Sequence, residues 1–410
     1  MSPTQRMFDR IIVLVLDGLG VGAMPDVPLM RPSDVGAHTL RAVVAATGGL
    51  SLPNLERLGL GTISPQAGLR AEKTPIGVHG INALGYKGAD TYLGHTVMMG
   101  APIPNTAEEL FETVRDEVGR QLADAGHRVE PAKPDQAALL VDGRMVVGDN
   151  LESDPLQTYH CVGSTEDQPY DRILDVANIL RRVARVRRVV AMGGKGFGAA
   201  DVRRCVELRP TGQSGVNNVA LGLYTSNYMV RHLTKGDRPD VQIPTILRKA
   251  GFEVELLGKV ADVIICEGAH KEPHVPTQAV LDATYRSLGR VREGLIAINV
   301  QETDLAGHDQ NAGRYAKHLR EADEGIGRVM SMMGPRDLLV VTGDHGNDPA
   351  IGHDKHTREY TPLLAWSPRI VPQAIYMRES LADIAATVAE NFAVPRPAIG
   401  TSFLGEIRLA

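Results

Sequence analysis

Two neighbouring stretches carry side chains able to hold a metal ion: Val341-Thr342-Gly343-Asp344-His345-Gly346-Asn347-Asp348 and Gly352-His353-Asp354-Lys355-His356-Thr357-Arg358-Glu359. Carboxylate oxygens and imidazole nitrogens are the donors of sites for zinc and the harder first-row divalent ions. One Asp-His pair decides little, because such pairs are common in surface loops. More donors appear elsewhere: Asp17 follows an apolar run at 11–16, and Asp304 with His308 follows another at 295–300. By itself Asp17 reads equally well as a helix N-cap. Three buried runs that all end in metal-competent residues are more than coincidence supplies. Thr91, in Gly88-Ala89-Asp90-Thr91-Tyr92-Leu93-Gly94-His95, adds a hydroxyl at a loop-to-helix turn. A Thr after an Asp is ordinarily a cap or turn residue, and its hydroxyl attacks only if a base or metal activates it. Three carboxylates, three imidazoles and one hydroxyl are enough for two divalent ions. Two ions about 4 Å apart stabilise the attacking and leaving oxygens of an in-line displacement. The chemistry so implied is phosphoryl transfer through a phosphothreonine. The donor set suits Mn2+, Zn2+ or Mg2+ alike.

These residues need a scaffold. Unbroken apolar runs at 11–16, 295–300 and 338–342 are the pattern of strands buried on both faces of a parallel sheet. The carboxyl ends of such strands are where open α/β sheets place their sites. Helical spacing predicts helices over 39–46, 244–251, 278–291, 314–333 and 381–392, with a strand at 254–257. Between these βα segments the pattern changes. Residues 106–125 and 170–186 read as helices and 188–192 as a strand. Residues 139–147 read as a hairpin about Asp142-Gly143-Arg144, and 193–198 as a loop. The expected fold is α/β, a doubly wound core of residues 1–101 and 218–410 with an inserted α+β domain over 102–217. The basic cluster Arg181, Arg182, Arg185, Arg187 and Arg188 is expected to be a solvated helix face.

The 410 residues leave room for two or three domains, and 43% hydrophobic content supports a sizeable core. A net charge of -5 and only 4% aromatic residues argue against nucleic-acid binding. Cys161, Cys205 and Cys266 have neither zinc spacing nor an even disulfide framework, which predicts reduced thiols in a cytoplasmic protein. The first ten residues lack the apolar segment of a signal peptide. No apolar run reaches the roughly 18 residues of a membrane span. The glycines after Asp17 do not fit G-x-G-x-x-G, so no dinucleotide is implied.

The sequence resembles the bacterial phosphopentomutases of the alkaline phosphatase superfamily over nearly its whole length. Asp17, within Asp17-Gly18-Leu19-Gly20-Val21-Gly22, matches the family's opening strand-end Asp. Asp90-Thr91-x-x-Gly94-His95 matches part of its Lys-Asp-Thr-x-Thr-Gly-His-Trp-Glu motif. Asp344-His345-Gly346 and His356-Thr357-Arg358-Glu359 match its last ligands at the same spacing. The resemblance implies that Asp304, His308 and His356 hold one metal, and Asp17, Asp344, His345 and Thr91 the other. It also implies Mn2+ as the metal, a sugar bisphosphate activator, and interconversion of ribose 1-phosphate and ribose 5-phosphate through phosphorylated Thr91. The insert would be a cap domain in which Asp154 (with Gln157) and Arg203 meet a small phosphorylated sugar. The departures lie in the residues that read substrate. Ala89 replaces a Lys, Leu93 a Thr, Thr96-Val97 a Trp-Glu, and Met192-Gly193-Gly194 an Arg-Pro-Phe. The Asp304-x-x-x-His308 spacing equals that of the cofactor-independent phosphoglycerate mutases. The alternative is therefore a metal-dependent phosphatase, or a mutase acting on a different phosphorylated sugar or nucleotide. A non-enzyme that binds metal structurally is disfavoured by the intact ligand set. The sequence does not set the oligomeric state.

Overall fold

The run from Arg10 to Leu16 is buried at every position and forms strand β1 of a computed structural model. The structure describes residues 6–103, 106–153, 155–225, 228–234 and 238–410. The chain divides into two compact units, Met1–Ile103 with Arg238–Ala410, and Pro104–Asp237.

In the first unit, β1 is joined by β2 (Val78–Asn82), β3 (Glu253–Gly258), β4 (His270–Glu272), β5 (Gly294–Val300), β6 (Asp337–Thr342), β7 (Thr361–Trp366) and β8 (Gln373–Ala374). Their order across the sheet is β4-β3-β5-β1-β6-β7-β2-β8. The strands from β4 to β6 are mutually parallel, and β7 is antiparallel to both its neighbours. Side chains alternate across a strand, so a central strand must feed two cores. Ile11, Val13 and Val15 join one cluster, with helix α2 (Thr91–Met98) and helix Ala382–Asn391. Ile12, Leu14 and Leu16 join the other, with α1 (Thr39–Ala46), α4 (Ala312–Met332) and helix Thr277–Arg290. Burial on both faces explains why β1 reads as unbroken apolar sequence. Each such side chain contributes about 1.5–3 kcal/mol, so Leu14→Ala at this wholly buried position is expected to cost roughly 2–5 kcal/mol. Helix α3 (Glu302–His308) follows β5 directly.

The second unit is α+β. Its six-stranded sheet runs Met229–Thr234, Arg188–Gly194, Thr158–Ser164, Met145–Asp149, Leu139–Val141, Val129–Pro131. Among these pairs only Thr158–Ser164 with Arg188–Gly194 is parallel. Helix Tyr170–Val183 lays Ile173, Val176, Ala177 and Leu180 on this sheet. The hairpin turns at Asp142 and Gly143 with φ of 54° and 69°, the positive pair that matches strand twist. Several expectations change here. Residues 106–110 are not helical; a 3-10 turn at Phe111–Thr113 leads into helix Arg115–Asp124. The strand from Arg188 runs on to Gly194, into the expected loop. Strand Met229–Thr234 pairs with it, so this unit extends to Asp237, where the sequence alone sets a boundary at 217. The arginine cluster is only partly a solvated face. Arg188 is buried, and the Arg181 guanidinium donates to the carbonyls of Ala184, Val186, Arg187 and Leu233. Among the described residues no helix is long and apolar enough to cross a membrane.

Candidate active site

Four adjacent parallel strands, β3, β5, β1 and β6, end at one edge of the first unit's sheet, and each delivers a charged group there. Lys259 follows β3, Asp304 and His308 lie on α3 after β5, Asp17 follows β1, and Asp344 with His345 follow β6. The burial of these ionisable groups is nearly complete: Asp17, Asp344 and His345 at 0% exposure, Asp304 at 2% and His308 at 4%. Asp304 and His308 are four apart on α3 and so share a face. Gly258 makes the turn that admits Lys259. Its φ is +75°, and a Cβ there would lie 2.1 Å from the Asn299 carbonyl oxygen.

The donors form two groups. In the first, His308 Nε2 and His356 Nε2 are 3.1 Å apart. They lie 3.5 Å and 3.4 Å from the two Asp304 carboxylate oxygens. In the second, His345 Nε2 lies 3.5 Å from Asp17 Oδ1 and 3.3 Å from Asp344 Oδ2. Ligands bound about 2.1 Å from one ion sit about 3.0–3.4 Å from each other, so both spacings suit a shared ion. The imidazoles are held for that task. His308 Nδ1 donates to the Asp354 carbonyl at 2.7 Å, His345 Nδ1 to the Gly346 carbonyl at 3.0 Å, and His356 Nδ1 to the Ala89 carbonyl at 3.3 Å. Each bond puts the proton on Nδ1 and turns the Nε2 lone pair toward the cluster. Asp17 Oδ1 and His345 Nε2 are buried with no hydrogen-bond partner, a cost that a bound cation removes. The residues present therefore fit two divalent ions. A third group, Glu302, His318 and Glu321, has its two carboxylates partly exposed, with His318 Nδ1 2.9 Å from Glu321 and 3.4 Å from Glu302, and reads as a hydrogen-bonded surface cluster.

Electrostatics reinforce the grouping. Burial, then the nearby Asp344, pushes Asp17 up to about 6 although Lys259 pulls it down. Burial works against ionisation of Asp344 and Asp304 too. Their surroundings win, the adjoining His345 and His95 side chains at Asp344 and the Lys259 charge at Asp304, and hold both below the usual carboxylate range. Burial and the facing His345 push His356 down to about 3, which keeps it neutral as a ligand must be. Burial lowers the proton affinity of Lys259, and Asp17 and Asp304 more than restore it, so the amine stays charged.

Thr91 lies among these groups. Asp90 caps α2, its side chain accepting from the Leu93 amide at 3.1 Å, and Thr91 is the first helical residue. The Thr91 hydroxyl donates to Asp344 Oδ2 at 2.8 Å and accepts from Lys259 Nζ at 3.2 Å. Lys259 Nζ also reaches Asp17 Oδ2 at 2.7 Å and Asp304 Oδ2 at 3.1 Å, one carboxylate of each donor group. The helix N-terminus beneath Thr91 favours negative charge at that point. Gly94 lets α2 come this close, since a Cβ there would lie 2.5 Å from the Asp344 carbonyl oxygen.

The structure thus brings together all seven expected ligand-type residues: Asp17, Thr91, Asp304, His308, Asp344, His345 and His356. The two expected substrate contacts belong to the second unit. Arg203 lies on helix Ala199–Arg204 and its Nε donates to the Ala132 carbonyl at 2.9 Å. Asp154 lies outside the described residues. Sequence reasoning missed Lys259, although it stands just past a strand end as Asp17 does. It also missed Asn299, a polar residue inside the apolar run of β5 and therefore a signal in itself. Asn347 was missed too; its Nδ2 donates to Asp304 Oδ1 at 2.8 Å.

Residues 9–396 match the family described as the Metalloenzyme superfamily. The chain is 30% identical to a phosphopentomutase of Caldanaerobacter subterraneus subsp. tengcongensis, across 98% of this chain and 99% of that protein. It is 31% identical to a phosphopentomutase of Symbiobacterium thermophilum, across 97% of this chain and 98% of that one. Among solved structures it is similar to a Leishmania mexicana phosphoglycerate mutase at 13% identity and a TM-score of 0.49, covering 100% of this chain and 99% of the other.

Proposed function

This chain belongs to the metalloenzyme superfamily and, within it, to the phosphopentomutases, and from that membership we propose that it interconverts ribose 1-phosphate and ribose 5-phosphate through phosphorylated Thr91 and a sugar bisphosphate. It is an enzyme of metal-dependent phosphoryl transfer. The observation that carries the finer reading is the Thr91 hydroxyl, 2.8 Å from Asp344 and 3.2 Å from Lys259 at a helix N-terminus between two metal-competent groups.

Asp304, His308 and His356 would hold one divalent ion, and Asp17, Asp344, His345 and Thr91 the other, with Mn2+ proposed for both. When bound, the ions offset charge on the attacking and leaving oxygens of the transferred group. The chain's residues do the positioning. Asp344 orients the Thr91 hydroxyl, and Lys259 adds a positive charge beside it. Phosphorylated Thr91 passes its phosphoryl group to the free hydroxyl of the sugar phosphate, so the Thr91 O–P bond breaks and a sugar O–P bond forms. The resulting bisphosphate returns its other phosphoryl group to Thr91, leaving the isomeric monophosphate. A sugar bisphosphate supplies the first phosphoryl group and so acts as activator. Asp154 and Arg203 keep their proposed part in holding the substrate; Asp154→Ala and Arg203→Ala are each expected to raise KM.

The test is phosphorus NMR of the Mn2+-loaded protein with ribose 1-phosphate and a catalytic amount of sugar bisphosphate. Ribose 5-phosphate should appear, mass spectrometry should find one phosphoryl group on the Thr91 peptide, and Thr91→Ala should abolish both. Full activity in Thr91→Ala would sink the proposal. Inorganic phosphate in place of ribose 5-phosphate would make the enzyme a phosphatase.

A further inference from the structure

Behind the second donor group runs a hydrogen-bonded bridge that no ligand role accounts for. Asn299, wholly buried on β5, places its Nδ2 2.8 Å from Asp17 Oδ2 and 3.0 Å from His95 Nε2. His95, also wholly buried, places Nδ1 2.8 Å from the Thr91 carbonyl oxygen, 3.2 Å from Asp344 Oδ2 and 3.4 Å from Thr91 Oγ1. Asn299 cannot slide away. Its backbone pairs with Val15 of β1 and Gly258 of β3, and the Gly258 turn rests on its carbonyl.

The direction of each bond follows from chemistry. The opposite orientation of the Asn299 amide would set its oxygen 2.8 Å from a carboxylate oxygen, two acceptors face to face. The observed orientation instead leaves Asn299 Oδ1 buried without a hydrogen-bond partner, so Asp17 decides it. With Nδ2 toward the imidazole, His95 Nε2 must accept. His95 Nδ1 faces a carbonyl, a carboxylate and a hydroxyl, and must donate. A second proton at Nε2 would meet the Asn299 N–H at 3.0 Å, donor against donor.

We propose that Asn299 is a positioning residue that selects the Nδ1-protonated form of His95, so that the pair ties Asp17 to Asp344 and to the first turn of the Thr91 helix. The connection Asp17–Asn299–His95–Asp344 fixes the spacing of two ligands from outside the ion they share. It therefore organises the second donor group and the Thr91 hydroxyl before an ion arrives. Outer partners of this kind typically change metal affinity or activity by roughly 10–100-fold when lost.

Nitrogen-15 NMR of histidine-labelled, Mg2+-loaded protein tests the tautomer directly, with His95→Gln identifying the resonances. An unprotonated Nε2 and a protonated Nδ1 are expected, and Asn299→Asp, which sets an acceptor against Nε2, should add a proton there and give the doubly protonated ring. A proton on Nε2 in the wild type would overturn the inference, with no variant needed. Calorimetric Mg2+ titration of Asn299→Ala should show one of the two ions weakened roughly 10–100-fold and the other unchanged. Two unchanged ions would also overturn it. An expected fall in kcat at constant KM rests on the phosphomutase reading, whereas the spectrum and the titration do not. A failure of that reading would therefore be distinguishable from a failure of this one.

Discussion

Replacing Lys259 by Met should destabilise the metal-free protein far more than the metal-loaded one. Lys259 Nζ lies 2.7 Å from Asp17 Oδ2 and 3.1 Å from Asp304 Oδ2, and its side chain is 3% exposed. At an effective dielectric of about 20 these contacts are worth about 6 and about 5 kcal/mol before desolvation is counted. Removing one partner of such a buried network typically costs about 3–5 kcal/mol net, because the remaining charges are left uncompensated. Bound divalent ions bring more positive charge to the same carboxylates, so the loss should shrink in their presence. For a unit of this size, each kcal/mol moves the melting temperature by roughly 2 °C. The variant should then melt about 6–10 °C below the wild type in EDTA, with a smaller deficit in saturating Mg2+. Differential scanning calorimetry of both proteins in both conditions measures the four temperatures. An equal deficit with and without metal would refute the reasoning, since Lys259 would then not share its carboxylates with the ions.

Other expectations follow from single contacts. Asn347→Ala removes the donor to Asp304 Oδ1 at 2.8 Å and should weaken one of the two bound ions roughly 10–100-fold by calorimetry. Gly94→Ala would press a Cβ to 2.5 Å from the Asp344 carbonyl oxygen. The shift of α2 should cost roughly 100-fold in kcat, and near-normal turnover would contradict the close packing. Burial holds His160 down at about 3, against 6.5 when exposed. The unfolded chain therefore binds the extra proton first, and stability present above pH 6.5 is lost as pH falls toward 3. Between pH 7 and pH 5 the loss is about 2 kcal/mol. Hydrogen exchange of strand Thr158–Ser164 should quicken accordingly, and His160→Gln should flatten the dependence.

Strands β1, β5 and β6 were legible because both-face burial forces unbroken apolar runs, and the candidate ligands Asp17, Asp304 and Asp344 because they stand at or just past the ends of those runs, whereas β2, β4, β7 and β8 were not read from the sequence. Thr91 is not the cap that the sequence suggests but the first residue of the capped helix. Asp90 beside it is a true helix cap, and the hydroxyl still reaches Asp344. Lys259 was not legible, since lysine is ordinarily a surface residue. Only carboxylates supplied from Asp17 and Asp304, far away in the chain, make its burial tolerable. The second unit was harder for a different reason. Val129–Pro131 is only three residues long, too short for periodicity to register. In the stretch 106–125, Val114, Val118 and Leu122 are buried at helical spacing, yet the helix begins only at Arg115. Spacing reported the contacts and not the backbone before them.

The place of β1 in its sheet bears on how the chain is made. β1 is complete at Leu16, but its two neighbours are Gly294–Val300 and Asp337–Thr342. A ribosome adding about 5–20 residues per second needs roughly 14–57 s to travel from Leu16 to Val300, the end of the first of these partners. Throughout that interval the segment Arg10-Ile11-Ile12-Val13-Leu14-Val15-Leu16 has no strand partner, and the whole of Pro104–Asp237 is made within it. The nascent protein thus carries this apolar, β-branched strand unpaired for most of its synthesis.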